Sequence, residues 1–228
     1  MNALASTVFP VLAVIFGSIL AAWRRPGGKL ISALQHLAAG VVFAAAAAEI
    51  LPKVVHQASP MATLIGGGLA ILVMLALKAG QSEEKGPRAL LVAIALDIWI
   101  DGLVLGLAFL AGAKAGFLLT VALTLEVLFL GLTLTAELGV FYRSRRRVVG
   151  TVSGLALLLP LGALMATPVA ALSATVVAGF LSFGLIALLY LVTEELLAEA
   201  HEQPDTPAIA SMFFLGFLAL LALEELGG

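Results

Sequence analysis

The sequence predicts an all-α integral membrane protein: one transmembrane domain, residues 1–228, made of eight spanning helices. Three observations predict it. Hydrophobic residues make up 62% of the chain and charged residues 11%, whereas an ordinary soluble domain is about 25% charged. Apolar runs close to the ~20 residues needed to cross hydrocarbon recur eight times. Short connections rich in Gly, Pro and charge separate the runs, which leaves no room for a soluble domain. Cysteine is absent, so disulfides, thiolate metal sites and thiol chemistry are excluded. The net charge of −2 says nothing about partners. Membrane lipid is the partner the composition demands, and no feature points to nucleic acid.

Taken in order, the first span covers 3–23. It is too long for a signal peptide and no basic region precedes it, so it is expected to be retained. "RRPGGK" (24–29) turns the chain into the second span, 30–55. The third, 60–80, carries "GGG" at 66–68, where small residues let helix backbones approach closely. "QSEEKGPR" (81–88) leads to the fourth, 88–112, and a short link leads to the fifth, 115–141. "RSRRR" (143–147) precedes the sixth, 148–167; the seventh, 170–199, and the eighth, 206–226, flank "QPDTP" (203–207). Pro10 and Pro160 fall inside the first and sixth spans, as membrane helices tolerate.

The twelve Lys and Arg set the orientation. Arg24, Arg25, Lys29, Lys78, Lys85, Arg88, Arg143, Arg145, Arg146 and Arg147 all lie at odd-numbered connections, leaving Lys53 and Lys114 on the other side. The positive-inside rule then places those connections in the cytoplasm and both termini outside. Trp23 and Tyr142, beside the arginines, suit the interfacial aromatic belt. The seventh connection breaks the pattern by holding acids instead.

The chemistry lies in "ALDIWIDGLVLG", 95–106. Asp97 and Asp101 are one turn apart, about 6 Å along the axis and ~40° around it, near the middle of the fourth span. Glu126 sits at the middle of the antiparallel fifth, so all three carboxyls are expected at one depth. A carboxylate in the centre of a bilayer costs roughly 2.5–3.5 kcal/mol or more. No Lys, Arg or His lies centrally in any span to offset it, so protons or a bound cation must neutralise the cluster. One buried acid is as often a hydrogen-bonded structural group as a ligand; three at one depth favour a cation site. Oxygen ligands suit divalent ions such as Mn²⁺, Mg²⁺ or Ca²⁺ and also take Zn²⁺ or Fe²⁺.

Two further acid–histidine pairs mark the helix ends. The second span closes with "EILPKVVH", placing Glu49 seven residues before His56, and the seventh closes with "EELLAEAH", placing Glu194 seven before His201. The two segments leave the membrane in opposite directions, the pattern of an inverted repeat around a midplane site. Solvated interface residues would look alike, yet together they fit a pathway. Glu49 and His56 would collect cations outside; Glu194, Glu195, Glu199, His201 and Glu202 would draw them out inside. His36 and Glu137 read as interfacial or structural, and Glu83, Glu84, Glu224 and Glu225 as solvated charges.

These residues resemble the ZIP (Zrt/Irt-like) family of divalent-metal transporters, in its prokaryotic form and over the whole chain. "HLAAGVVFAAAAAEILP" (36–52) looks like the family's second helix and "LYLVTEELLAEAHE" (189–202) like its seventh; "DIWIDG" and "EVLFLG" sit where the fourth and fifth carry their metal motifs. The resemblance implies a ZIP-like bundle in which helices 1–3 and 6–8 are inverted repeats. It puts Asp97 in the place of a metal-binding His, Asp101 in that of the following Glu, and Glu126 in the first ligand position of the fifth helix. Leu130 stands where many members have a bridging Glu, Ile98 where they have an Asn, and the sixth span has no acid, which implies one metal instead of two.

The expected function is therefore divalent-cation transport (Zn, Mn, Fe, Cd or Co as substrate) by alternating access towards the cytoplasm, without enzymatic activity or organic cofactor. A bacterial inner membrane is the expected location and a second copy of the chain the one candidate protein partner. A proton-coupled carrier of a small organic cation is the alternative. Intramembrane aspartic proteases and CDP-alcohol phosphotransferases fit poorly: the first need a Gly-x-Gly-Asp segment and the second an Arg after the Asp-Gly run, and "DGLVLGLA" has neither.

Overall fold

The computed structural model describes residues 2–24, 27–80, 86–142, 144–202 and 206–226. Expectations for Arg25, Glu83, Glu84, Lys85, Arg143 and residues 203–205 lie outside the described residues. Among the described residues there is no strand, and eight helices are long and apolar enough to cross a membrane. They are α1 (Ala3–Trp23), α2 (Gly28–Gln57), α3 (Pro60–Ala79), α4 (Leu90–Ala111), α5 (Ala113–Phe141), α6 (Arg145–Ala171), α7 (Ala174–Ala200) and α8 (Pro207–Leu226). Each lies within a few residues of the apolar run that predicts it.

Helices α2, α4 and α5 form the interior: 67% of the apolar window of α4 is buried, against 11% for α8. α1 packs along α5, α4 along α6, α2 along α8, and α3 along α7, while α4 and α5 lie against each other. Water is scarce on both sides of such contacts, so backbone proximity has to replace the hydrophobic drive. Glycines provide it. A Cβ at Gly17 would strike the Leu128 carbonyl, one at Gly131 that of Val14, one at Gly102 that of Leu159, and one at Gly162 that of Trp99. Within "GGG", Gly66 abuts the Gly179 backbone and Gly67 meets Ile186, whereas Gly68 has open space.

Prolines account for two interruptions. Pro10 has no N–H for the Ser6 carbonyl, and α1 breaks at Thr7 between Ala3–Ser6 and Val8–Trp23. Pro160 stands in the same relation to Ala156, and α6 breaks at Leu157. Pro52 has a different outcome: the turn before it, Ala46–Ile50, widens into a π-helical turn. α7 has a matching π-helical turn at Leu191–Leu196 without a proline. There the Thr193 hydroxyl donates to Leu189 O (3.0 Å), a bond that Thr120, Thr124 and Thr133 also make one turn back without widening α5. Such turns shift side-chain register by one position and recur at functional sites. The α4–α5 connection is the single residue Gly112, whose φ of +157° residues with a Cβ avoid. Gly112 lies about midway between Asp97 and Glu126 in sequence, so the hairpin returns both carboxyls to one depth.

Candidate functional site

Asp97, Asp101 and Glu126 are buried to 5%, 4% and 3% exposure, as their midspan positions require. The buried polar residues among those described include no lysine or arginine, and His36 is their one histidine. Asp101 and Glu126 reach each other across the α4–α5 interface, and Asp97, Glu126 and Glu195 lie within electrostatic range of one another. Apart from the contact between the two carboxyls themselves, Asp101 Oδ2 and Glu126 Oε2 are buried without a hydrogen-bond partner. A buried oxygen left this way ordinarily costs about 1–3 kcal/mol, more when it carries charge.

A narrow pocket of about 30 Å³ reaches this cluster from the face that holds Lys29, Arg88 and Arg145–Arg147. That volume suits an ion or a water or two. Asp97 and Glu126 line its inner end, Glu195 its wall and Glu199 its mouth, with Gln35 and Thr133 beside them. Exposure rises outwards: Glu126 and Asp97 are buried, Glu195 is half-buried and Glu199 is exposed. Towards the opposite face the chain is closed, since Leu105, Leu118, Leu119, Ala122 and Leu123 are all at most 1% exposed. Asp101 does not line the pocket, although it shares a face of α4 with Asp97. It lies one turn nearer the closed side. Among the described residues no three acid or histidine side chains stand close enough to form a ready-made metal cage; an ion would have to draw the pocket's carboxyls inwards.

The structure thus joins two groups that the sequence keeps apart. Glu195 and Glu199, expected only at a cytoplasmic exit, share one pocket with Asp97 and Glu126. Glu194 does not: the π-helical turn sends it outwards, where it pairs with Lys78 of α3, both about half exposed. Lys78 also lies 5.8 Å from the Tyr190 ring centre. His201 is exposed at the end of α7, with its ring 5.1 Å from that of buried His36. Each histidine donates Nδ1–H to the carbonyl one turn back in its own helix, Ser32 O and Leu197 O.

Glu49 and His56 stand at the opposite face, half-buried and exposed respectively, and are not brought to the pocket. Their surroundings are mixed in charge. Lys53 donates to Ala111 O, and Lys114 pairs with Glu224 at 3.5 Å, close to Glu49. Glu224, expected as a solvated terminal charge, is therefore part of this cluster.

Gln35 and Thr133 line the pocket without having stood out in the sequence, and Gln35 is the better tied of the two. It is 3% exposed and donates Nε2–H to Glu199 Oε2 at 2.7 Å, while neighbouring Ser32 donates to Ala200 O at 2.9 Å. These two bonds tie the start of α2 to the end of α7. The available signal was an amide set beside Ser32 and His36, just before the small and apolar stretch 37–48. Gln35→Leu is expected to lower stability by about 1–2 kcal/mol and to free Glu199, checked by thermal unfolding in detergent beside a metal titration.

No protein-family model matches the chain, and no curated protein matches it.

Proposed function

We propose that this chain is a divalent-cation carrier of the ZIP type and not an enzyme. It takes an ion such as Zn²⁺, Mn²⁺, Fe²⁺, Cd²⁺ or Co²⁺ through a midplane carboxylate site towards the arginine-rich face, the cytoplasmic one by the positive-inside rule. One observation carries the reading: a single narrow pocket runs from exposed Glu199 past Glu195 to buried Asp97 and Glu126, and no buried lysine or arginine among the described residues offsets those charges. A divalent guest supplies the missing charge and satisfies a Glu126 oxygen that has no partner beyond Asp101. The small pocket volume weighs against an organic cation carried with protons, the nearest competing reading.

Alternating access needs two related halves, and several correspondences support an inverted repeat of α1–α3 on α6–α8 with α4 on α5. One shift along the chain turns Val14, Gly17, Glu49 and His56 into Leu159, Gly162, Glu194 and His201. A second turns Asp97, Trp99 and Gly102 into Glu126, Leu128 and Gly131. Under these shifts the contact of Gly17 with Leu128 O becomes that of Gly162 with Trp99 O, and Gly131 against Val14 O becomes Gly102 against Leu159 O. The π-helical turns of α2 and α7 superpose too. Carried over in the same way, pocket residues Leu130, Glu195 and Glu199 become Asp101, Ile50 and Val54. A pocket opening to the opposite face would then hold Asp97, Glu126 and Asp101 between apolar walls. Asp101 serves the ion in that state, and Glu195 with Glu199 in the other.

The test is uptake into protein-containing liposomes with a panel of Mn²⁺, Fe²⁺, Zn²⁺, Cd²⁺, Co²⁺ and Mg²⁺, together with calorimetric titration of the purified protein. A 1:1 complex and saturable uptake of at least one ion are expected. Ligand carboxyls must be deprotonated, so acidification from about pH 7.5 to 5.5 should weaken binding, on the order of tenfold. Uptake no faster than in protein-free vesicles for every ion would sink the proposal.

A further inference from the structure

Two cavities adjoin where α1, α5 and α6 end at the arginine-rich face, on the far side of the bundle from the carboxylate pocket. One, of about 320 Å³, is lined by Ala21, Trp23, Thr135, Tyr142 and Arg145 among others. The second, of about 340 Å³, is lined by Ile19, Ala22, Trp23, Arg145, Arg146 and Val149. Ala22, Trp23 and Arg145 belong to both. Among the described residues, no acidic side chain lines either cavity. Both volumes fall within the roughly 300–1,000 Å³ usual for small-molecule sites.

The walls are graded in polarity. Arg145 and Arg146 stand at the helix ends, Trp23 is 83% exposed beside them, and Ile19 and Phe16, exposed at 42% and 61%, continue along α1 into the span. Cation, aromatic ring and apolar strip follow one another in the order phosphate, glycerol and acyl chain of a phospholipid. An arginine that serves only to set topology needs water at the end of a helix and nothing more. Arg145 instead forms the shared wall of two hollows beside an exposed tryptophan.

We propose that this double cavity is a binding site for an anionic phospholipid of the surrounding membrane. Arg145 and Arg146 hold the headgroup phosphate through guanidinium forks, the geometry that suits phosphate oxygens. Trp23 lies against the glycerol region and one acyl chain runs along Ile19 and Phe16. The mainly apolar lining of the second cavity, Ile19, Ala22 and Val149 beside Trp23, selects a lipid over a free phosphate ion. Arg147 lines neither cavity and serves as an internal control of equal charge. This site is independent of what the carboxylate pocket carries.

The experiment uses the full chain with Trp99→Phe, which leaves Trp23 as the sole tryptophan, in nanodiscs of phosphatidylcholine containing a minor fraction of phosphatidylglycerol brominated on its acyl chains. Quenching of Trp23 by the brominated phosphatidylglycerol is expected to exceed its mole fraction several-fold, whereas brominated phosphatidylcholine quenches only in proportion. Arg145→Ala and Arg146→Ala should each reduce the enrichment by about fivefold, and Arg147→Ala should leave it. Equal quenching by the two lipids overturns the proposal, and this arm needs no arginine variant to fold. Loss in Arg147→Ala as large as in Arg145→Ala overturns it as well, because bulk surface charge then explains the attraction. Release of the quenching by inorganic phosphate at constant ionic strength overturns the choice of lipid over ion.

Discussion

Asp97→Asn and Glu126→Gln are each expected to abolish cation uptake while leaving the fold intact or more stable. Both side chains line the inner end of the pocket, and both are at most 5% exposed. The amides keep the shape and lose the charge. Outer-shell partners of metal sites are worth 10- to 100-fold in affinity, so losing a direct oxygen ligand should cost more than about a hundredfold. Stability should move the other way. Replacing a buried, uncompensated carboxyl by a neutral group removes a desolvation burden, and a gain of about 1 kcal/mol in the ion-free protein is expected. Liposome uptake and thermal unfolding without metal check the two halves separately. Asp101→Asn should act differently: binding from the arginine-rich face is retained, because Asp101 does not line that pocket, but turnover slows. Wild-type uptake in an Asp97→Asn, Glu126→Gln double variant would remove the site.

The second large effect is expected at the helix crossings. Gly102→Ala and Gly162→Ala each drive a methyl group into a backbone carbonyl of the facing helix, Leu159 O and Trp99 O respectively. No side-chain rotation relieves a clash with backbone, so α4 and α6 must separate along their shared length. A loss of about 3 kcal/mol or more is expected, at the upper end of overpacking costs. Gly17→Ala and Gly131→Ala should do the same to α1 and α5. Gly150→Ala and Gly154→Ala are the controls. A Cβ there meets nothing within 4 Å, so these changes should be neutral or stabilise the helix by up to about 1 kcal/mol. Thermal unfolding and monodispersity in detergent distinguish the two groups, and equal behaviour of both would mean that backbone contact does not hold the bundle.

Much of the site was open to inspection in the chain itself, for a local reason. The midspan depth of Asp97, Asp101 and Glu126 follows from counting along helices whose ends hydropathy marks. The breaks after Ser6 and Ala156 follow from proline chemistry at Pro10 and Pro160. By contrast, nothing in "LYLVTEELL" signals the π-helical turn that separates Glu194 from Glu195, sending one to Lys78 and the other to the pocket. Gln35 likewise gains its meaning only from Glu199, which lies at the far end of another helix.

The sequence by itself determined that this protein is an eight-helix membrane bundle with three carboxyls at mid-depth, because helix formation in lipid is dictated by hydropathy and by backbone hydrogen bonding within each segment. Only the tertiary structure decided which acids lie together. It placed Glu195 and Glu199 with Asp97 and Glu126 and turned Asp101 towards the closed side. That choice depends on how closely the helices cross and how each is rotated, and glycine-to-carbonyl contacts between segments distant in the chain set both.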